Sequence, residues 1–310
     1  MPNILLTGGS GFLGTALLQN DFFKQALVVG RTRPKHCQRF SLVNLDANCV
    51  LTDTLRDIDI VVHVAAKAHV LNEKSVNPIE DYRDINTSAT LNLAEQAARV
   101  GVKRFIFIST IKVLGNQTVG GHRFTSEDPL NPQDPYSISK AEAEMGLKKI
   151  MDQSDMEVVI IRPPLVYGQG VKGNFASLLK LASLSVPLPF GSIANRRSLV
   201  SVENLVDLIC TCLDHPNAKN QTFLVSDDYD MSTPELCRLV AKAGGYNSHI
   251  FWFPGNLFWL CLVLIGKKAV YERLFGSLEV DIEFTKSHLN WKPPHNVRAS
   301  IVNCWPRQIK

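Results

Sequence analysis

Two residues four positions apart have the chemistry of an acid/base unit. Tyr136 and Lys140 lie at i and i+4, so on a helix they share one face. A free phenol has a pKa of about 10 and is a poor base at neutral pH, but a nearby ammonium stabilises the phenolate and lowers that pKa. The pair is therefore predicted to move a proton on a sugar hydroxyl or ketone.

A hydroxyl upstream of this pair could orient the reacting oxygen. Thr110 follows the apolar run 105–108, which has the composition of a buried strand. Strand ends at the carboxyl edge of a parallel sheet face the ligand crevice, so Thr110 is the first candidate and Ser109 the alternative. For either residue, the alternative is a structural role, in which the hydroxyl is hydrogen-bonded within the protein at the end of the strand.

A glycine-rich loop directly follows the first predicted strand. Residues 7–14 read TGGSGFLG and lead into an apolar helix, with glycines at 8, 11 and 14. The first glycine of such a loop allows the tight turn, and the second lets backbone N–H groups approach a pyrophosphate. The third permits close packing of helix on strand. A loop of this spacing between a strand and a helix predicts a dinucleotide site.

The end of the second predicted strand bears on which dinucleotide binds. NAD sites usually carry Asp or Glu there for the ribose 2′-hydroxyl, but no acidic residue occurs from 22 to 45. The basic residues of this stretch are Lys24, Arg31, Arg33, Lys35 and Arg39. A guanidinium such as that of Arg31 can pair with a 2′-phosphate. The sequence therefore predicts NADP(H) as the preferred cofactor, with NAD(H) as the alternative.

The alternation of short apolar runs with amphipathic stretches in the first half indicates βαβ units. Such units build a parallel sheet that is covered by helices on both faces. We predict an α/β fold, a Rossmann-type doubly wound parallel sheet with a smaller C-terminal substrate-binding lobe. The dinucleotide-binding domain is expected over residues 1–165, with 203–227 returning to it, and the lobe over 166–202 and 228–310.

Composition and charge exclude several classes of protein. The 310 residues carry a net charge of +4, too small an excess to indicate nucleic-acid binding. The seven cysteines form no CxxC pair and lack zinc spacing, so neither a metal site nor a disulfide framework is expected. No signal-peptide pattern precedes the first strand, and a cytoplasmic location is expected.

The longest apolar run covers residues 257–265 and is too short to cross a bilayer, which needs about 20 residues. No transmembrane segment is therefore expected. We predict that this run is a buried helix, and the alternative is a contact with a membrane surface.

With these motifs the chain resembles, over nearly its whole length, the extended short-chain dehydrogenases/reductases of the NAD-dependent epimerase/dehydratase family. Residues 7–14 match the family's TGxxGxxG loop, and 63–66 match its fourth-strand segment near the cofactor. Thr110, Tyr136 and Lys140 match the Ser/Thr–Tyr–Lys triad. The resemblance implies that Tyr136 is the acid/base, that Lys140 lowers its pKa and contacts the ribose, and that Thr110 orients the reacting oxygen.

The resemblance also implies further contacts. The expected cofactor-binding residues are Gly8, Ser10, Gly11, Phe12, Leu13, Gly14, Arg31, Asp46, Ala65, Ala66, Asn86, Tyr136, Lys140 and Pro163. Asn174, Arg197 and Arg273 are expected to bind a nucleotide-sugar substrate, with Arg197 on the diphosphate and Arg196 as the alternative. Family members often dimerise through two long helices per subunit, which implies a homodimer.

The details of the resemblance leave three functions open. Sugar dehydratases of the family carry an Asp-Glu pair directly after the catalytic Thr, where this chain has Ile111 and Lys112, so dehydration is not expected. Because of Arg31, the main hypothesis is reduction of the C4 ketone of a UDP-4-keto-6-deoxy-N-acetylhexosamine in polysaccharide synthesis. The alternative is a 4-epimerase of UDP-glucose, UDP-N-acetylglucosamine or a polyprenyl-diphosphate-linked sugar. The third is a dinucleotide-binding protein with little catalysis.

Overall fold

Seven parallel strands form the central sheet of this computed structural model, which describes residues 2–68, 77–264, 266 and 268–305. Across the sheet the strands follow the order β10 (Thr222–Leu224), β6 (Glu157–Arg162), β5 (Arg104–Ile108), β4 (Ile60–His63), β1 (Ile4–Thr7), β2 (Leu27–Gly30) and β3 (Arg39–Leu42). The strand order reverses between β1 and β4. In open α/β sheets, ligands bind in the crevice at such a switch point.

Helices cover both faces of the sheet, which explains why its central strands are apolar throughout. Every residue of β1, β4 and β5 is buried. One face packs against α1 (Phe12–Leu17) and α7 (Val202–Asp214). The other face packs against α2 (Thr52–Leu55), α4 (Ala89–Arg99) and α5 (Pro135–Asp152). The predicted doubly wound α/β fold is confirmed.

Most of the remaining elements follow β6 in the chain and belong to the smaller C-terminal lobe, whereas α3 (Pro78–Arg83) precedes α4 and packs against α5. Helix α3 joins α4 through one π-helical turn, Asp84–Ser88. Two short parallel sheets pair β7 (Leu165–Tyr167) with β9 (Leu199–Ser201) and β8 (Pro187–Leu188) with β11 (His249–Ile250). The other helices are α6 (Asn174–Ser183), α8 (Thr233–Ala243), α9 (Gly255–Leu264), α10 (Lys268–Phe275), α11 (Glu283–Leu289) and α12 (Val297–Asn303).

The apolar run predicted to be a buried helix is a helix, but the prediction of burial is wrong. Among the residues that the structure describes, none in α9 is buried, and residue 265 lies outside them. The helix packs on the lobe through Phe258, whose ring contacts those of Phe190 and Phe275. A single seam of this kind cannot bury a helix that is apolar on all sides. In the described part of the chain, no helix is long and apolar enough to cross a membrane.

The first turn of α1 packs directly against the end of the turn that follows β1. A Cβ atom on Gly14 would lie 2.2 Å from the carbonyl oxygen of Gly8 and 2.7 Å from the Cα of Gly9. Both contacts are to backbone atoms, so no side-chain rotation can relieve them. Any residue other than glycine at position 14 must therefore push α1 away from the sheet.

We expect the substitution Gly14→Ala to lower the free energy of unfolding by about 1–3 kcal/mol, the usual cost of overpacking. Urea denaturation followed by circular dichroism measures this change. Gly30→Ala is the matched control, because a Cβ there meets nothing within 4 Å. Equal losses of stability in the two variants would contradict this account of the helix–strand contact.

Candidate active site

The ends of β1 and β4 bring two predicted cofactor segments together. Gly8 follows β1 with a φ of 72°, and a Cβ on it would lie 2.6 Å from the backbone nitrogen of Ala65. The glycine loop and the segment containing Ala65 and Ala66 are therefore in contact. Ser10 and Gly11 are exposed at the tip of the loop. A tip of this kind, at the start of a helix, suits a pyrophosphate, so the residues present fit a dinucleotide.

A chain of buried hydrogen bonds lies beneath this loop and defines the state of His63. The Thr7 hydroxyl lies 2.8 Å from His63 Nδ1, and the Thr90 hydroxyl lies 2.9 Å from Nε2. Thr90 donates its own proton to the carbonyl oxygen of Asn86, and Thr7 accepts from the Ala65 N–H. His63 must then donate through Nε2 and accept at Nδ1. Burial lowers its pKa to about 3, so the imidazole is neutral and structural.

Arg31 is the basic residue best placed for a 2′-phosphate. It directly follows β2, is exposed, and makes no side-chain hydrogen bond or ion pair within the described residues. Arg33, by contrast, donates to the carbonyl oxygens of Cys37 and Gln38, which holds it within its own loop.

Asp46 lies in the loop after β3, where its carboxylate accepts hydrogen bonds from the Asn48 N–H at 2.9 Å and the Asn44 amide at 3.2 Å. It is only half-buried. The adenine contact implied for it stays a prediction, because its carboxylate oxygens already serve to shape this turn.

The predicted catalytic hydroxyl lies at the carboxyl end of β5, beside the end of β6. The Ile111 N–H donates to the carbonyl oxygen of Pro163 at 2.9 Å, which places Thr110 next to a residue expected to bind the cofactor. The Thr110 hydroxyl accepts from the Lys112 N–H at 3.3 Å and can still donate its proton. Ser109 instead donates to Glu144 Oε1 at 2.5 Å. Of the two hydroxyls, Thr110 is therefore the one left for a ligand.

Burial, rather than their mutual charge, dominates the protonation of Tyr136 and Lys140. Burial raises the pKa of Tyr136, and the charges of Asp134 and Tyr82 add to the rise. Burial lowers the pKa of Lys140 to about 7, against the attraction of Glu144, and its Nζ lies 3.9 Å from the centre of the Phe107 ring. The expected lowering of the phenol pKa is thus not met by the residues of the site alone. The phenol stays protonated here because its own burial disfavours the charged phenolate.

Asn86 occupies the π-helical turn and joins two parts of the site. Its side chain is fully buried. It accepts from the Lys67 N–H at 2.7 Å, and it donates to the Lys67 carbonyl oxygen and to the Ser139 hydroxyl, both at 3.0 Å. The loop after β4 is thereby tied to α5, between Tyr136 and Lys140. The implied contact of Asn86 with a cofactor stays a prediction, since its polar atoms are all used within the protein.

A buried ion pair behind the triad was not predicted from the sequence. Arg162 and Glu144 are 2% and 0% exposed, and Arg162 Nη2 lies 2.6 Å from Glu144 Oε2. Glu144 also accepts the Ser109 hydroxyl and lies one helical turn after Lys140. That i+4 spacing is the signal that could have identified it.

A second ion pair anchors the start of α5. Lys112 Nζ lies 2.8 Å from Asp134 Oδ2, and the other carboxylate oxygen of Asp134 caps the helix by accepting from the Ser137 N–H. The cap lies two residues before Tyr136. Ile111 is buried. The positions that carry the acid and base of dehydratases thus hold an apolar side chain and a structural lysine.

The three predicted substrate residues come together in the lobe. Arg197 Nη1 donates to the carbonyl oxygens of Arg273 at 3.2 Å and Gly276 at 2.9 Å, and Arg273 Nη1 donates to Asn174 Oδ1 at 3.3 Å. Burial lowers the pKa of Arg197, as expected for a poorly solvated cation. Such a cluster can bind a diphosphate.

Arg196, the alternative, is directed elsewhere. Its Nε lies 3.1 Å from Glu279 Oε2, and its Nη2 lies 3.8 Å from Asp230 Oδ2. These contacts neutralise it within the protein, which leaves Arg197 as the candidate for the diphosphate.

The depressed pKa of Lys140 predicts a pH-dependent stability. Its folded value of about 7 lies below the unfolded value of 10.5, so the unfolded chain binds more protons between these pH values. Stability should therefore rise with pH across this window. In Lys140→Met, the free energy of unfolding measured by urea denaturation at pH 7, 8 and 9 should rise less with pH than in the wild type. At pH 7 it should be no lower than that of the wild type. Lys148→Met, exposed on the same helix, is the control, and an unchanged slope in Lys140→Met would refute the assignment.

Comparison with solved structures shows that the fold is shared with sugar epimerases. A UDP-glucuronic acid 4-epimerase from Bacillus cereus, solved in complex with NAD, superposes with a TM-score of 0.76 at 20% identity, covering 97% of each chain. A UDP-glucose 4-epimerase from Thermotoga maritima, solved with UDP-glucose, gives a TM-score of 0.75 at 20% identity, covering 97% of this chain and 96% of that one.

Sequence comparison extends this likeness. A UDP-glucose 4-epimerase from Vibrio cholerae is 47% identical over 308 residues, which is 97% of this chain and 94% of that protein. An N-acetyl-α-D-glucosaminyl-diphospho-ditrans,octacis-undecaprenol 4-epimerase from Escherichia coli O157:H7 is 28% identical, over 78% of this chain and 72% of that protein. The pattern of the NAD dependent epimerase/dehydratase family matches residues 4–226. With the dinucleotide loop and the Thr–Tyr–Lys set in place, the chain belongs to the NAD-dependent epimerase/dehydratase family.

Proposed function

We propose that this chain is a 4-epimerase of a UDP-sugar. The observation that carries the proposal is the 47% identity, over nearly the full length of both chains, to a protein named as a UDP-glucose 4-epimerase. The geometry supports it, because Thr110 follows β5 and the glycine loop follows β1 at the same edge of the parallel sheet, and Lys140 lies over the Phe107 ring of β5. The residues after Thr110 are unsuited to dehydration. The relatives favour this alternative over the 4-reductase hypothesis, which rested on Arg31.

In this proposal Tyr136 takes the proton of the sugar C4 hydroxyl and later returns it. When bound, the oxidised cofactor supplies a hydride acceptor for C4 and a positive charge beside the phenol. Lys140 adds its own charge, and the two charges together would offset the burial that raises the pKa of Tyr136. Thr110 donates a hydrogen bond to the C4 oxygen. One hydride and one proton leave the sugar and return to it, so no net reductant is consumed.

Inversion at C4 requires that the 4-keto sugar present its other face before the hydride returns. The cluster of Asn174, Arg197 and Arg273 would hold the diphosphate while the sugar ring turns. Anchoring by charge at the diphosphate suits this task, since guanidinium–phosphate hydrogen bonds are strong and lie away from the reacting carbon.

A sugar diphosphate linked to a polyprenol is the second candidate substrate. The Escherichia coli relative is named for such a substrate. The same diphosphate cluster would serve either molecule, and it adjoins α9 through Arg273 on α10. Its apolar neighbour α9 is the feature that favours this candidate.

The cofactor and assembly are proposed in the same way. We assign the binding site to a nicotinamide dinucleotide, and the preference for NADP(H) rests on Arg31. Of the two solved structures named above, the one from Bacillus cereus contains NAD. The homodimer and the cytoplasmic location stay predictions. Helices α4 and α5, expected to form the dimer, pack side by side, and Met145 on α5 is 48% exposed.

Purified protein should convert UDP-glucose to UDP-galactose without added reductant. Tyr136→Phe should lower the turnover number at least about 100-fold, the usual contribution of a positioned acid/base. Tyr229→Phe is the matched control, because Tyr229 is exposed and bonds only Glu235 among the contacts described for its hydroxyl. UDP-N-acetylglucosamine and a polyprenyl-diphosphate sugar are assayed in parallel. Stoichiometric NADPH oxidation with a 4-keto sugar, and no epimerisation of any substrate, would instead establish the reductase.

Substitution of Arg31 tests the choice of cofactor. Arg31→Asp should shift the ratio of NADPH to NADH affinity at least about tenfold toward NADH, because one charge-assisted hydrogen bond is lost and a repulsion is added. Fluorescence titration with each dinucleotide gives the ratio. Lys35→Asp, exposed in the same loop, should change the ratio less. Comparable affinities of the wild type for NADH and NADPH would remove the predicted preference.

A further inference from the structure

The lobe exposes a group of large apolar side chains on and beside α9. Each is between 42% and 76% exposed. They are Phe251, Trp252, Leu257, Trp259, Leu260 and Leu264, which we call the α9 patch. Single exposed apolar side chains are common on proteins, but a large exposed apolar patch usually marks a binding surface.

Packing within the protein does not account for the composition of this segment. Residues 251–266 include no charged side chain, although a surface helix ordinarily carries polar residues on its outer face. Phe258 supplies the seam to the lobe, with ring centres 6.2 Å from those of Phe190 and Phe253 and 5.6 Å from that of Phe275. The other faces of α9 are apolar and point away from that seam.

The two sequence segments that carry and adjoin the patch are basic. The segments 173–195 and 245–271 meet where β8 pairs with β11. Together they contain Lys180, Lys267 and Lys268 and no Asp or Glu, in a chain with 29 acidic residues. Lys180 is exposed on α6, and the next acidic residue along the chain is Glu272 on α10. The segments that form and adjoin the patch therefore combine apolar side chains with basic residues, of which Lys180 is exposed.

We propose that the α9 patch docks on the surface of an anionic lipid bilayer. Apolar and aromatic side chains that enter the headgroup region, with lysines beside them, are the composition that binds such surfaces. α9 has 10 residues, which suits a helix lying on the surface and is too short to span. A second copy of the chain is the poorer partner, because both copies would bring segments with lysines and no acidic residue to the interface. The inference does not depend on the reaction proposed above.

The test is sedimentation of the full-length protein with vesicles of phosphatidylcholine alone and of phosphatidylcholine with phosphatidylglycerol. We expect the protein to pellet with the anionic vesicles at low salt, to be released by added NaCl, and to stay in solution with the neutral ones. Because Trp252 and Trp259 are exposed, tryptophan emission should shift to the blue on binding and become less accessible to acrylamide.

Matched variants locate the surface. Trp252→Ser with Trp259→Ser should abolish pelleting, and Lys180→Glu should weaken it at least about fivefold, since each basic group near an anionic surface adds to the affinity. The controls are Val50→Ser, 83% exposed in the other domain, and Lys148→Glu. Circular dichroism melting establishes that each variant is folded.

Three results would overturn the proposal. The first is wild-type protein that stays in solution with anionic vesicles and shows no emission shift. The second is pelleting that the α9 and Lys180 variants share unchanged with wild type. The third is a dimer in gel filtration that the tryptophan variants abolish, without vesicle binding, which would assign the patch to self-association.

Discussion

The buried ion pair between Arg162 and Glu144 is the interaction on which the site depends. It joins β6 to α5, and the Ser109 hydroxyl joins β5 to the same carboxylate. Thr110 follows Ser109, Pro163 follows Arg162, and Lys140 precedes Glu144 by one helical turn. Removal of one partner would leave the other charge buried and unpaired, at a cost of about 3–5 kcal/mol. Three elements that are distant in sequence therefore keep their register where the candidate catalytic groups meet.

Lys140 is the group whose charge this arrangement leaves uncompensated. Glu144 is already paired with Arg162, so the Lys140 ammonium gains little from it and rests over the Phe107 ring. Burial lowers its pKa to about 7, which means that the fold gives up stability to hold an amine there. A buried lysine without a carboxylate of its own is expected where the amine acts on a ligand, since strongly shifted pKa values concentrate at functional sites.

Two neighbouring arginines of the lobe have different partners. Arg196 is neutralised by Glu279 and Asp230, whereas Arg197 turns toward backbone carbonyls beside Arg273. The first is held by these ion pairs, and the second is the cation that we proposed for the diphosphate. The apolar surface of α9 adjoins this cation cluster through α10, so arginine side chains and an exposed apolar surface lie side by side. A substrate with a diphosphate and an apolar chain, or a lipid surface near the site, would meet both.

Spacing along the chain was enough to predict the parallel sheet and to single out the glycine loop and the Tyr136–Lys140 pair as candidates, because strand, turn and helix periodicities are local. Ser109 and Arg196 could not be set aside from the sequence, since their partners lie 35 and 83 residues away. The pKa of Tyr136 also went against the local expectation, because burial outweighed a neighbouring charge. The predicted burial of α9 was wrong, because burial depends on which surfaces meet in the tertiary structure. Its apolar sequence was enough to predict a helix, but only the tertiary structure showed that the helix packs on the lobe through Phe258 and is not enclosed in a core.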